Sequence, residues 1–184
     1  MTPGRALLLC AVLAVAGPAP AAHAEAHAET TEPPEHRIDA FFTTGAMAYL
    51  SAAQTMGGAG GGVGIRDTLR DLYVLQADVD YLMLLGNTFS LRLAAGLQRG
   101  GSWNPAAFVT VTCLFGDRLR FLTPEHPTPL TGPTVALGLM AAPLRFHLGN
   151  AHATLLAVGV GVGTDLPGVG ALYQVTAVEV GAVF

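Results

Sequence analysis

The stretch Tyr73–Met83, YVLQADVDYLM, alternates without a break. Tyr73, Leu75, Ala77, Val79, Tyr81 and Met83 fall on one face of an extended chain. Val74, Gln76, Asp78, Asp80 and Leu82 fall on the other. Period two is the signature of a strand, because successive side chains point to opposite sides of a sheet. The apolar face here is continuous, and the opposite face holds two carboxylates. A helix would scatter both sets around its circumference, so this segment admits a strand and little else.

The pattern recurs. In FSLRLAAGLQ, Phe89, Leu91, Leu93, Ala95 and Leu97 oppose Ser90, Arg92, Ala94, Gly96 and Gln98. In AFVTVTCLF, Val109, Val111, Cys113 and Phe115 oppose Thr110 and Thr112. Each run has about the ~9–11 residues with which a tilted strand crosses a hydrocarbon layer. Gly-Asn or Gly-Asp in LGNT, FGDR and LGNA marks hairpin turns. Longer Pro- and Gly-rich connections alternate with them, including Gly100–Pro105, Thr123–Pro133 and Thr164–Gly168. Ser51–Leu69, which contains MGGAGGGVG, reads as a fourth long connection. The expected strands are 38–50, 69–85, 88–99, 106–115, 118–123, 132–148, 151–163 and 169–184. The strand 132–148 changes phase near Pro143, which a bulge would reconcile. The faces of LLAVGVGVG stay open at this point.

Composition narrows the setting. Charged residues make up 12% of the chain, about half the usual ~25% of soluble domains, so something other than water is expected to face part of the surface. Lysine is absent, which excludes a Walker-A loop and a Schiff-base lysine. The N-terminus reads as a secretory signal over 1–24, with an apolar run Ala6–Ala16 and cleavage after 24 or 28. Without Arg5, eight Arg stand against thirteen acids, a net charge of −5. No basic stripe exists, so nucleic acid is not an expected partner. Residues 25–36 read as a polar periplasmic linker and 37–184 as the folded domain. Cys113 would be the one cysteine left, so no internal disulfide can form.

Signal peptide, eight strands and a terminal Phe together resemble the small bacterial outer-membrane barrels of the OmpA/OmpX/OmpW kind, over roughly residues 37–184. The resemblance is one of architecture. It implies an all-β, eight-stranded antiparallel up-and-down transmembrane barrel in the outer membrane, behind a cleavable signal peptide. No cofactor is expected, and no metal either, since neither PEHPTP nor Glu35-His36 offers a four-ligand set at recognisable spacing. The resemblance implies outer-membrane lipid and the barrel-assembly machinery as partners, the latter reading an assembly signal at Val178, Val180, Ala182 and Phe184. A ligand of the extracellular loops stays unspecified. Tyr81, Phe89, Phe115, Phe146 and Phe184 each lie near a tight turn or the C-terminus and are expected to form one periplasmic aromatic girdle. Tyr49, Tyr73, Trp103, Phe121 and Tyr173 are expected toward the other end.

The inward face is expected to hold a polar network of Gln76, Asp78, Asp80, Arg92, Thr110, Thr112, Arg145, His147 and Glu179, with Asp80 opposite or diagonal to Arg92. In a barrel this narrow the network fills the lumen; a gated path through it is the functional alternative. No enzyme is expected. Ser51, Ser90 and Ser102 are the serines left for a nucleophile, and GGSWN departs from G-x-S-x-G at Asn104. Ser90, His147 and Glu179 could all point inward, which leaves an outer-membrane lipid acyl hydrolase as a remote alternative. A secreted lipocalin-like barrel around a small apolar ligand is the other one. It requires apolar residues inside and charges outside.

Overall fold

A computed structural model describes residues 36–52, 54–120, 133–164 and 168–184. The expected signal peptide, almost all of the linker, Phe121 and Thr123–Thr131 lie outside the described residues. The strands are β1 (His36–Ser51), β2 (Gln54–Leu69), β3 (Tyr73–Leu84), β4 (Thr88–Gln98), β5 (Ala106–Gly116), β6 (Leu119–Arg120), β7 (Thr134–Leu148), β8 (Ala151–Thr164) and β9 (Val169–Val183). They pair in the order β1-β9-β8-β7-β5-β4-β3-β2, and β1 pairs back onto β2. Eight antiparallel strands therefore close on themselves. Closure leaves no edge in the wall, so each wall strand finds backbone partners on both sides. The closing seam runs from Asp39 opposite Val183 to Ser51 opposite Gly170, and the Phe184 N–H donates to the Ile38 carbonyl at 3.0 Å.

The strand count agrees with the sequence, but two strands change roles. Ser51–Leu69 is not a long connection: most of it is β2, paired along its length with β1 and over Gly58–Leu69 with β3. The described residues of the expected strand 118–123 are not part of the wall. They include β6, two residues attached to Thr55 and Gln54 at the start of β2. The first change has a local cause. β2 is flanked by connections without the usual turn residues. Residues 52–53 are alanines, and Ser51 Oγ accepts the Gln54 N–H at 3.2 Å there. At the other flank Arg70 and Asp71 take left-handed backbone at φ 50° and 55° without a glycine, a conformation uncommon outside Gly, Asn and Asp.

Exchanging these strands also reorders the ends of the barrel. The terminus end holds His36, Phe184 and the β2–β3, β4–β5 and β7–β8 connections. The far end holds the β1–β2, β3–β4, β5–β7 and β8–β9 connections. LGNT and FGDR thus lie at the far end, and only LGNA turns at the terminus end. The pairing of β7 with β8 shifts register between Ala141 and Leu144, the bulge that Pro143 calls for. In β9, Thr44 faces Val178 while Gly45 faces Thr176, so Ala177 is the extra residue of a bulge. Above it the odd residues face out; below it Val178 and Val180 do.

Candidate functional site

Polarity sorts by face around the barrel. Charged and amide side chains point inward, where Asp39, Arg66, Gln76, Asp78, Arg92, Arg145, His152, Gln174 and Glu179 are all buried. The outward row is apolar on strand after strand, as with Leu75 and Val79 on β3, Leu91 and Leu93 on β4, Val109 and Val111 on β5, and Val158 and Val160 on β8. In the 151–163 segment the glycines Gly159, Gly161 and Gly163 take the inward positions and the valines the outward ones. This is the reverse of a soluble barrel with an apolar pocket, so the lipocalin-like alternative is overturned.

The lumen is layered. At the far end Met47, Tyr49, Met56, Leu82, Leu114 and Leu172 form a buried apolar cluster, with the Tyr49 hydroxyl donating to the Gly163 carbonyl at 3.3 Å. In the middle, Arg92 bridges to Asp78 at 2.9 Å and donates to Gln174 at 3.3 Å. The register sets Asp78 opposite Arg92 and Asp80 opposite Ser90, so Asp80 is the diagonal neighbour. A cavity beside Asp80, Arg92 and Gln174 measures about 20 Å³, room for about one water.

Toward the terminus end Arg66 is the hub. It donates to Gln76 at 2.9 and 3.1 Å, lies 2.9 Å from His152 Nε2 and pairs with Glu179 at 2.5 Å. Thr154 donates to the same Glu179 oxygen at 2.9 Å. The guanidinium also stacks 4.8 Å from the centre of the Phe41 ring. Gln76 joins the two layers by donating to Asp78 at 3.0 Å.

The expected network residues fall into three groups. Gln76, Asp78, Arg92 and Glu179 are joined by the contacts above. Asp80, Thr110, Thr112 and Arg145 are buried inside, and the Arg145 guanidinium makes no hydrogen bond to a described residue. His147 is only half-buried near the terminus end, where its N–H donates to the Ser102 carbonyl at 2.8 Å. The histidine that joins the network is His152, which sequence reasoning missed along with Arg66 and Asp39. Arg66 was hidden by the loop reading of β2; Asp39 opposite Arg66 follows once β1 and β2 are paired. Ser90 lies near the far end beside Asp80, and His147 lies at the other end, so the two do not meet. No Ser–His–Glu site is assembled from them. No group of His, Cys, Asp and Glu among the described residues is arranged to hold a metal.

The single aromatic girdle is corrected to two belts. Tyr81 faces Phe89 and Phe89 faces Phe115 at the far end, with the Tyr81 and Phe89 rings 5.0 Å apart. Phe146 and Phe184 lie at the terminus end, together with Tyr73 and with Trp103, which bridges to Phe146. Tyr173 is on the far half as expected, whereas Tyr49 points into the lumen. Along β3 the belts are separated by the eight steps from Tyr73 to Tyr81. That is roughly 27 Å of strand, or about 20 Å of height at a tilt of ~40°. The outward band of membrane barrels is ~25 Å tall.

A closed eight-stranded antiparallel barrel with a charged, filled lumen and an apolar outer wall defines the class. No protein-family model and no curated protein matches this chain. Two solved structures align with most of the chain. Neisserial surface protein A aligns with TM-score 0.51 at 11% identity, over 82% of this chain and 97% of its own. The N-terminal β-barrel domain of Pseudomonas aeruginosa OprF aligns with TM-score 0.42 at 13% identity, over 80% of this chain and 97% of its own. At 11% identity the likeness to the Neisserial protein is one of fold.

Proposed function

We propose that this chain is an integral outer-membrane β-barrel protein of a bacterial envelope, closed to diffusion and without catalytic machinery in its wall. The observation that carries the proposal is the inverted polarity: large apolar side chains such as Ile65, Leu93, Leu137 and Val162 are more than half exposed, while Arg66, Arg92 and Arg145 are at most 3% exposed. Water outside such a wall would be costly, and hydrocarbon would not. The terminus end then faces the periplasm and the far end the exterior. Any ligand specificity belongs to the exterior connections; a surface role parallels the printed name of the Neisserial protein. The apolar layer of Met47, Met56, Leu114 and Leu172 seals the exterior end of the lumen, which favours a structural or binding role over conduction.

Fractionation tests this. The protein is expected in the membrane fraction after carbonate washing, with a gel mobility that changes on boiling. Recovery as free periplasmic protein would overturn the proposal. The same reading extends to assembly through the outward row Val178, Val180, Ala182 and Phe184. Deleting Phe184 is expected to lower the outer-membrane yield more than deleting one residue of the Arg99–Pro105 loop. Equal yields would remove the assembly role.

A further inference from the structure

We infer that the outer wall from β2 to β5 carries a site for one phospholipid whose headgroup ends in a primary ammonium, in the leaflet on the terminus side, a conclusion that rests on the membrane reading above. One residue there breaks the outward pattern. Among the described strands, Asp67 is the one acidic side chain on an outward row. It stands opposite Ile38 on β1 and Leu75 on β3. Leu75 is two residues from Tyr73 of the terminus-end belt, roughly 7 Å along the strand. Asp67 therefore lies on the lipid side of that belt, where an ionisable side chain calls for a partner. Within the described residues it meets His36, with Nδ1 3.3 Å from Oδ2, and Oδ1 has no hydrogen-bond partner. The side chain is 34% exposed, so a headgroup can reach it.

Asp67 also lines an open groove of about 530 Å³. The register explains its shape. Asp67, Leu75, Ala95 and Val109 follow one another across four strands, and Ile65, Ala77, Leu93 and Val111 form the next row. Ala77 and Ala95 make the floor between larger neighbours, a channel that suits a flexible acyl chain. The first row climbs around the barrel. Asp67 is two residues before Leu69 at the terminus end of β2, whereas Leu139, which continues the row on β7, is nine residues before Leu148 at the terminus end of its strand. The carboxylate thus stands at the shallow end of an apolar channel that leads into the wall, as a headgroup stands to its chain. Its sign selects the headgroup. Neither Arg70 nor Arg99 lines the groove, and Arg66, which does, turns its guanidinium inward to Gln76 and Glu179. An ethanolamine ammonium can donate a charge-assisted hydrogen bond to a carboxylate. A choline ammonium has no N–H to give, and a glycerol headgroup leaves the lipid anionic.

The test is native mass spectrometry of the full chain in detergent, titrated separately with phosphatidylethanolamine, phosphatidylcholine and phosphatidylglycerol of the same acyl chains. One phosphatidylethanolamine is expected to be retained, ahead of phosphatidylcholine and then phosphatidylglycerol. Asp67→Asn, which keeps the side chain's shape and removes its charge, is expected to lower the affinity for phosphatidylethanolamine about fivefold and to erase its lead over phosphatidylcholine. Ala95→Phe, which fills the channel, is expected to weaken all three lipids. Equal retention of phosphatidylethanolamine and phosphatidylcholine by the unaltered protein would overturn the site. So would a lead that survives Asp67→Asn, or phosphatidylglycerol held most tightly of the three. Boiling-dependent gel mobility checks that each variant is a folded barrel. A chain recovered as free periplasmic protein would overturn both the site and the membrane reading, whereas a folded membrane barrel without lipid preference would overturn the site alone.

Discussion

The β1–β2 and β3–β4 hairpins build neighbouring parts of one wall by opposite means. On β3 and β4 both faces carry side chains of substance: Asp78, Asp80 and Arg92 inward, Leu75, Val79 and Leu91 outward. On β2 the inward positions from Gly58 to Gly64 are glycines, and side chains return only at Arg66 and Thr68. The two designs are complementary. A Cβ on Gly62 would lie 2.3 Å from Asp80 Oδ1, and one on Gly64 would lie 2.7 Å from Asp78 Cβ and 2.3 Å from the tip of Phe41. The lumen of a narrow barrel has a fixed volume. Where β3 and β1 fill it, β2 must be empty.

Below the glycines the hairpins become alike, since each contributes one buried arginine. Arg66 holds Glu179 and Gln76; Arg92 holds Asp78 and Gln174. Removing one partner of a buried ion pair strands the other charge, at a cost of about 3–5 kcal/mol. Arg66→Ala and Arg92→Ala are each expected to destabilise the refolded barrel by that amount. Denaturant titration read on the fluorescence of Trp103, the one tryptophan, measures it. Arg66→Met combined with Glu179→Leu is expected to recover most of the loss. If Arg66→Ala were neutral while Arg92→Ala was not, only the mid-lumen layer would be structural.

The same contrast explains what the sequence could disclose. β3, β4 and β5 were legible because each inward polar residue is bracketed by outward apolar ones. β2 was not, because glycine at alternate positions removes the very signal that period two depends on, and its flanking turns use Ala, Arg and Asp instead of Gly-Asn. Gln76, Asp78, Arg92 and Glu179 could be placed inward from parity alone. Arg66 could not, since its strand was unseen. His152 was missed because the faces of its strand, β8, could not be told apart in a run where small and apolar residues alternate. The aromatic ends were misassigned for a topological reason: one unseen strand reverses the direction of the three strands that follow it.

Outside, the hairpins should behave identically, because hydrocarbon meets both. Val63→Arg on β2 and Leu91→Arg on β4 each put a charge on the outer face. An arginine at mid-wall costs about 2–4 kcal/mol in a membrane barrel. Both variants are expected to lose that much in vesicle-refolded protein, measured by the same titration. A loss at Leu91 with none at Val63 would mean that the glycine-rich side of the wall does not face lipid.

The smallest effect separates the designs most directly, by exchanging the same two residue types in opposite directions. Gly62→Ala adds a methyl group that would meet the Val79 carbonyl oxygen at 2.1 Å and Asp80 Oδ1 at 2.3 Å. The backbone oxygen cannot swing aside, so the cost is that of overpacking, about 1–3 kcal/mol. Ala94→Gly removes a methyl group from the inward face of β4, where Ala94 is 5% exposed. Its cost is that of a mid-strand glycine, about 0.5–1 kcal/mol. Gly62→Ala is therefore expected to lower the denaturation midpoint more than Ala94→Gly does, although alanine is the better strand former of the two. The reverse order would show that β2 carries its glycines for chain flexibility and not for the volume that Asp80 needs.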